Sequence, residues 1–130
     1  MRKGEIIEII ISELDLYIID KVRELRNLRE ISQTALSQYM ELADGFISKV
    51  ENPKERAKYS IRHLNLLPKI LKVSWEELLP AKPLKNDLVR ATYKKKSRAD
   101  VKRGEQLYEL IKKVPLSEDE IKKYNKGLLD

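Results

Sequence analysis

Lys54, Arg56 and Lys58 place three cations at alternate positions of one short stretch, and Lys94-Lys95-Lys96 with Arg98 place four more within five residues. Ammonium and guanidinium groups at such spacing suit contact with phosphate oxygens. Residue types that do more than bind are scarce. The chain has no cysteine, which removes disulfides, thiol catalysis and Cys-ligated zinc, and its single histidine, His63, leaves no histidine-built metal site. The four glycines, at positions 4, 45, 104 and 127, are scattered and form no phosphate-cradling loop. No nucleophile and histidine form a pattern that reads as catalytic. The expectation is a protein that is not an enzyme and has no metal and no cofactor. His63 itself, one position from the apolar Leu64, is read as a packing or surface residue with no assigned role.

Whole-chain properties agree with a binding role. At 130 residues there is room for one compact domain plus extensions, and 42% hydrophobic content suffices for a modest core. Lys and Arg number 27 against 21 Asp and Glu, a net charge of +6 that favours a polyanionic partner. The apolar runs Ile9 to Ile11 and Leu16 to Ile19 fall far below the roughly 18 residues that span a membrane. The segment MRKGEIIEIIIS has acids within its apolar region and no small-residue cleavage site, so it does not read as a signal peptide. A soluble, cytoplasmic protein without membrane contact is expected.

The elements that must position these cations read as helices. Aromatics other than tyrosine are scarce and sustained alternation of apolar and polar residues is little, so the expected fold class is all-α. Residues 1 to 12 stay open between a strand, from the β-branched run at Ile9 to Ile11, and a helix, from Ile6, Ile10, Leu14 and Ile18 at helical spacing. Ser12 with Asp15 has capping-box spacing and predicts a helix from residue 13, striped by Ile18, Val22, Leu25 and Leu28. Ser32 caps a short helix over Gln33 to Tyr39 whose inward face is Leu36, Tyr39 and Met40. After a turn at Met40-Glu41-Leu42, a third helix over Asp44 to Glu51 turns Ile47 and Val50 inward and stops at Asn52-Pro53. Ser60 caps a fourth helix with a core face of Ile61, Leu64, Leu67 and Leu71, expected to kink or break at Pro68. Ser74-Trp75-Glu76-Glu77 is a capping box that opens a fifth helical turn ended by Pro80, with Trp75, Leu78 and Leu79 closing the core.

Beyond Pro80 charge changes abruptly. Residues 81 to 104 hold 9 basic and 2 acidic side chains and so account for the whole positive excess. They read as a linker or arm, followed by two amphipathic helices, Val101 to Val114 and Ser117 to Lys126, parted by Pro115. The division expected is an N-terminal extension at 1–12, a DNA-binding domain at 13–80, a basic linker at 81–100 and a C-terminal helical extension at 101–130.

Two short helices joined by a tight turn, held between longer apolar-striped ones, are the arrangement in which the second can enter a groove about 12 Å wide. Residues 18 to 80 resemble the Cro/cI-type (lambda-repressor-like, Xre) helix-turn-helix family, in register through VRELR, ISQTALSQYM, FISKVEN and LPKILKVSWEELLP. The resemblance implies a five-helix DNA-binding domain that sets its third helix in the major groove of double-stranded DNA. By position it implies base contact from Asp44, Gly45 and Lys49, with Phe46 beside them. It implies phosphate contact from Gln33 at the start of the second helix, with Asn52, Lys54, Arg56, Lys58 and Tyr59 flanking the backbone. Arg26 and Glu51 fall on the family's structural ion pair, and Ser37 stands where the family has alanine at a close helix crossing.

Departures from the pattern carry their own expectations. Glu41 replaces the turn glycine, so a non-glycine residue has to take a positive φ. Ala43 replaces the Ser or Thr cap, which leaves Asp44 to cap the third helix. Chemically, Asp44 suits cytosine N4 and Lys49 suits guanine O6 or N7. The function expected is a sequence-specific transcriptional regulator, a repressor by occupancy, working as a homodimer on a palindromic site. The C-terminal helices or the isoleucine-rich N-terminus would supply the dimer contact. The alternative is an antitoxin-like or protein-interaction module that captures a partner protein through residues 81–130.

Overall fold

A computed structural model describes residues 4–102 and 106–129. Strand β1 (Ile6–Ser12) runs directly into α1 (Glu13–Leu28), followed by α2 (Gln33–Tyr39), α3 (Phe46–Glu51), α4 (Ile61–Leu71) and the short α5 (Trp75–Leu78). Strands β2 (Leu88–Lys95) and β3 (Tyr108–Pro115) form a hairpin, and α6 (Glu118–Asn125) follows it. A single turn of 3₁₀ helix, Arg98–Asp100, lies in the connection between β2 and β3.

The all-α expectation is therefore corrected: β1, β2 and β3 make a three-stranded antiparallel sheet with β2 at its centre. The segment expected to be a basic linker supplies the central strand, and the expected helix over Val101 to Val114 is replaced by an edge strand. Residues 103–105 of that expected helix, with Arg103 and Gly104, lie outside the described residues, as do residues 1–3 and 130. Alternation explains the sheet. In the register Ile7↔Tyr93, Ile9↔Ala91 and Ile11↔Val89, one face of β1 and β2 is turned to the helices. Val89 and Ala91 are fully buried there and Ile11 and Tyr93 nearly so. The opposite face carries Glu8 and Arg90, which pair at 3.2 Å. Among the described residues the open choice at 1–12 is settled for a strand over Ile6–Ser12, and two members of the alternative helical stripe, Ile6 and Leu14, are exposed.

Helix starts follow the serines. Ser12 Oγ accepts from the Asp15 amide, and Ser32 Oγ from the Ala35 amide. Ser74 with Glu77 and Ser117 with Glu120 form reciprocal capping boxes. Val22, Leu36, Ile47, Leu67, Leu71 and Leu78 are fully buried and form the centre of the core. Leu28, Tyr39, Ile61 and Trp75, expected inside, are exposed. α4 does not break at Pro68: it continues to Leu71, where Lys72 in the left-handed region ends it and the Val73 amide bonds the Pro68 carbonyl.

Candidate nucleic-acid interface

One guanidinium organises the helix-turn-helix. Arg26, on α1, donates through Nε and Nη2 to the two carboxylate oxygens of Glu51 at 3.1 and 2.8 Å. Its Nη1 donates to the Ile31 carbonyl ahead of α2 at 3.0 Å. Glu51 Oε1 also accepts from Gln33 Nε2 at 3.0 Å. The end of α3, the start of α2 and the last turn of α1 therefore meet on a single fork, with both charged side chains almost wholly shielded from water. Gln33 Nε2 carries a second hydrogen, so the bond to Glu51 orients the amide without exhausting its donors.

The departures at the turn are resolved by neighbouring groups. Glu41 takes φ 58°, the left-handed conformation that glycine adopts more cheaply. Neither Ala43 nor Asp44 caps α3. The cap residue is Gly45, which offers no side-chain bond, so α3 begins at Phe46 and not at Asp44. The missing bond comes from α2, where the fully buried Ser37 accepts the Ile47 amide on Oγ at 3.1 Å and donates to the Gln33 carbonyl at 3.0 Å. Ser37 thus supplies, from α2, the cap that the start of α3 lacks. Sequence reading assigned Ser37 to close packing alone, and the absence of a capping residue at Ala43 was the signal that pointed further.

The outward face of this unit is selective about which expected residues it presents. Asp44, Gly45 and Lys49 are exposed, with Ser48 between them, opposite buried Ile47, Val50 and Glu51. Asp44 Oδ1 accepts from Gln38 at 3.4 Å. Phe46 is turned inward, its ring edge-on to His63 and Tyr59 at centroid distances of 5.0 and 6.3 Å. Tyr59 is 9% exposed and packs in the core, and burial raises its hydroxyl far above the ordinary tyrosine value. Asn52 Oδ1 accepts the Lys54 amide and shapes the loop. Lys54 Nζ is held by Glu5 at 3.0 Å, which with the Tyr108 hydroxyl raises its pKa. Lys58 is half-buried, its pKa lowered by desolvation, and its Nζ lies 3.3 Å from the Arg56 carbonyl. Arg56 remains on the surface.

His63 has a role that the sequence did not disclose. It occupies the third position of α4, where its Nδ1 accepts the Ser60 amide at 3.0 Å while Ser60 Oγ accepts the His63 amide at 3.3 Å. This is a capping box with imidazole in place of the usual Glu or Gln. Burial, and secondarily the Arg62 charge, holds the imidazole below the usual histidine value of 6.5. The unfolded chain then takes up this proton at higher pH than the folded one does. The stability contributed is complete above 6.5 and is lost as pH falls through the folded value. Urea midpoints are expected to decline between neutral pH and about 5. His63→Gln, which keeps an acceptor at that position, is expected to flatten the decline, and an unchanged pH slope in that variant would assign it to other groups. The carboxylates act in a separate window: Glu13, despite the opposing effect of burial, is held below 4.5 by Asn86 and Lys113.

Comparison of the chain with family models, curated proteins and solved structures finds no match. Among the described residues no helix is long and apolar enough to cross a membrane.

Proposed function

We propose that the chain is a sequence-specific DNA-binding regulator that lays α3 in the major groove. The observation that carries this reading is the exposed strip Asp44, Gly45, Ser48 and Lys49 on a six-residue helix whose other side is fixed by Ile47, Val50 and Glu51. A helix this short has no stability of its own, so its placement is wholly the work of the surrounding packing. Such placement leaves base-edge donors and acceptors on rigid backbone. The family resemblance in VRELR, ISQTALSQYM and FISKVEN supports the same reading, and a homodimer on a palindromic site, half-sites about 34 Å apart, repressing by occupancy, completes it.

Selection of bound sequences from a random duplex pool is the decisive test. A symmetric enriched motif is expected, and failure to enrich any sequence would overturn the proposal. On the enriched site Lys49→Ala is expected to cost about 1–3 kcal/mol and relax base preference. Equal losses on the site and on random DNA would remove Lys49 from base reading.

A second reading, the capture of a partner protein, is favoured by the exposed apolar side chains Ile111, Val114, Tyr124 and Leu128 near the C-terminal end. Truncation after Pro80 would remove the central strand and cannot separate the readings. Truncation after the buried Leu116 removes α6 alone. Loss of protein capture with retained DNA binding would support the second reading.

A further inference from the structure

The cations that the sequence placed in a linker stand beside α3. A cleft of about 510 Å³ has Gln33, Ser48 and Asn52 on one wall and Arg98 and Gln106, from the β2–β3 connection, on the other. Ser48 lies beside Lys49 on the outward side of α3 and Asn52 is the residue that ends the helix, so the hairpin borders the C-terminal end of the face proposed to meet the groove. Amide, hydroxyl and guanidinium groups share these walls about equally with the apolar surface of Pro53, Val101, Leu107 and Tyr108. The acid that also lines it, Glu51, is already neutralised by Arg26.

The hairpin is held there by a charged knot at its base. Glu5 accepts from the Tyr108 hydroxyl at 3.1 Å and pairs with Lys95 at 3.7 Å and Lys54 at 3.0 Å. Lys54 and Lys95 also lie over the Tyr108 ring at 5.8 and 5.7 Å. The loop that follows α3, the first strand and both strands of the hairpin are thereby tied at one point. Lys95 is buried in this knot, whereas Arg98 and Lys102 are exposed beyond it. A basic connection fixed at its base, next to a cleft at the end of α3 that offers amide, hydroxyl and guanidinium donors beside apolar walls for the sugars, is chemically matched to a phosphodiester strand.

We propose that the β2–β3 hairpin is a second DNA-binding element, which holds the phosphodiester strand bordering the α3 groove between Arg98 and Gln106 on one side and Gln33, Ser48 and Asn52 on the other. This rests on the DNA-binding reading of α3 and extends its footprint to the adjacent backbone.

Anisotropy titrations of the full chain against the enriched duplex and a random duplex, from about 50 to about 200 mM salt, test it. The double variant Arg98→Ala/Lys102→Ala is expected to weaken binding to both duplexes and to reduce the slope of log affinity against log salt by about 2. The charge-keeping Arg98→Lys/Lys102→Arg variant is expected to restore the slope. Hydroxyl-radical footprints of the alanine variant are expected to lose protection on the flanking backbone while keeping it around the groove entered by α3. An unchanged slope and footprint would overturn the hairpin's role, and tighter binding by the alanine variant would overturn it by showing that the hairpin shields α3. If the wild-type chain binds neither duplex, the DNA-binding reading itself falls. If it binds, responds to Lys49→Ala and ignores the hairpin variants, only the present inference falls.

Discussion

Glu51→Ala is expected to lower folding stability by about 3–5 kcal/mol, the range for breaking a buried ion pair from one side. The cost arises chiefly from what is left behind. Arg26 is 3% exposed, and without the carboxylate its Nε and Nη2 lose their acceptors in a site shielded by the core, while Gln33 loses the acceptor that orients it. Only the Ile31 carbonyl, on Nη1, remains of the bonds described. Replacing both partners with apolar residues of similar volume, Arg26→Met with Glu51→Leu, is expected to cost much less than the two single losses added together, because no charge is then abandoned. Denaturant titration of the two single variants and the double variant measures this directly. A loss below about 1 kcal/mol for Glu51→Ala would mean that the pair is solvated like a surface bridge. The variant has a functional corollary, since the same fork places the start of α2 and the end of α3.

Tyr93→Ala is expected to cost about 3–5 kcal/mol, as aromatic truncations in cores do. Tyr93 lies on the central strand β2, is 4% exposed, and belongs to the same continuous core as Leu16, Ile19 and Val22 of α1. Burial pushes its hydroxyl up to about 12. The ring therefore joins the sheet to the helices, and its removal opens a cavity at the seam. Tyr93→Phe retains the ring and is expected to lose far less. Thermal unfolding followed by circular dichroism distinguishes two architectures. If the helical part were independent of residues beyond Pro80, its melting would be untouched by Tyr93→Ala; a single transition shifted to lower temperature is the expected result.

Local interactions were the legible part of this chain. Ser12, Ser32, Ser60, Ser74 and Ser117 each announce a helix because a cap is completed within three residues, and Leu36, Ile47, Leu67 and Leu71 fall inward at helical spacing. The sheet was hidden because its pairings are remote. β2 does alternate, with Val89, Ala91, Tyr93 and Lys95 on the buried face, but its lysines and arginine gave it the look of a solvated run. β3 is an edge strand in which Tyr108 alone is buried, and Leu107, Leu110, Ile111 and Val114 happen to sit three and four apart, the spacing of a helix. A register shift between Thr92 and Tyr93 leaves Ile111 without a cross-strand partner, which further blurs the alternation. In the candidate site the Arg26 and Glu51 pairing came from the family register, since no local pattern links residues on different helices. Phe46 and Tyr59 were placed outward by the same register. Their partner His63, whose aromatic contacts draw them in, lies on another helix.

The pairing of β1 with β2 also fixes an order of assembly. β1 pairs with Leu88 to Lys94, so the first strand has no partner until those residues have been made, whereas the contacts among α1 to α5 are nearer in sequence. On the ribosome local helical turns can form while the core they share with β2 is still incomplete, and the segment IIEIIIS waits, β-branched, uncharged but for Glu8, and rich in the features that drive chains to pair with one another. Glu8 acts as its gatekeeper during that interval and becomes a partner of Arg90 afterwards. Glu8→Val would be silent in much of the finished fold and felt most in the yield of soluble chain during synthesis.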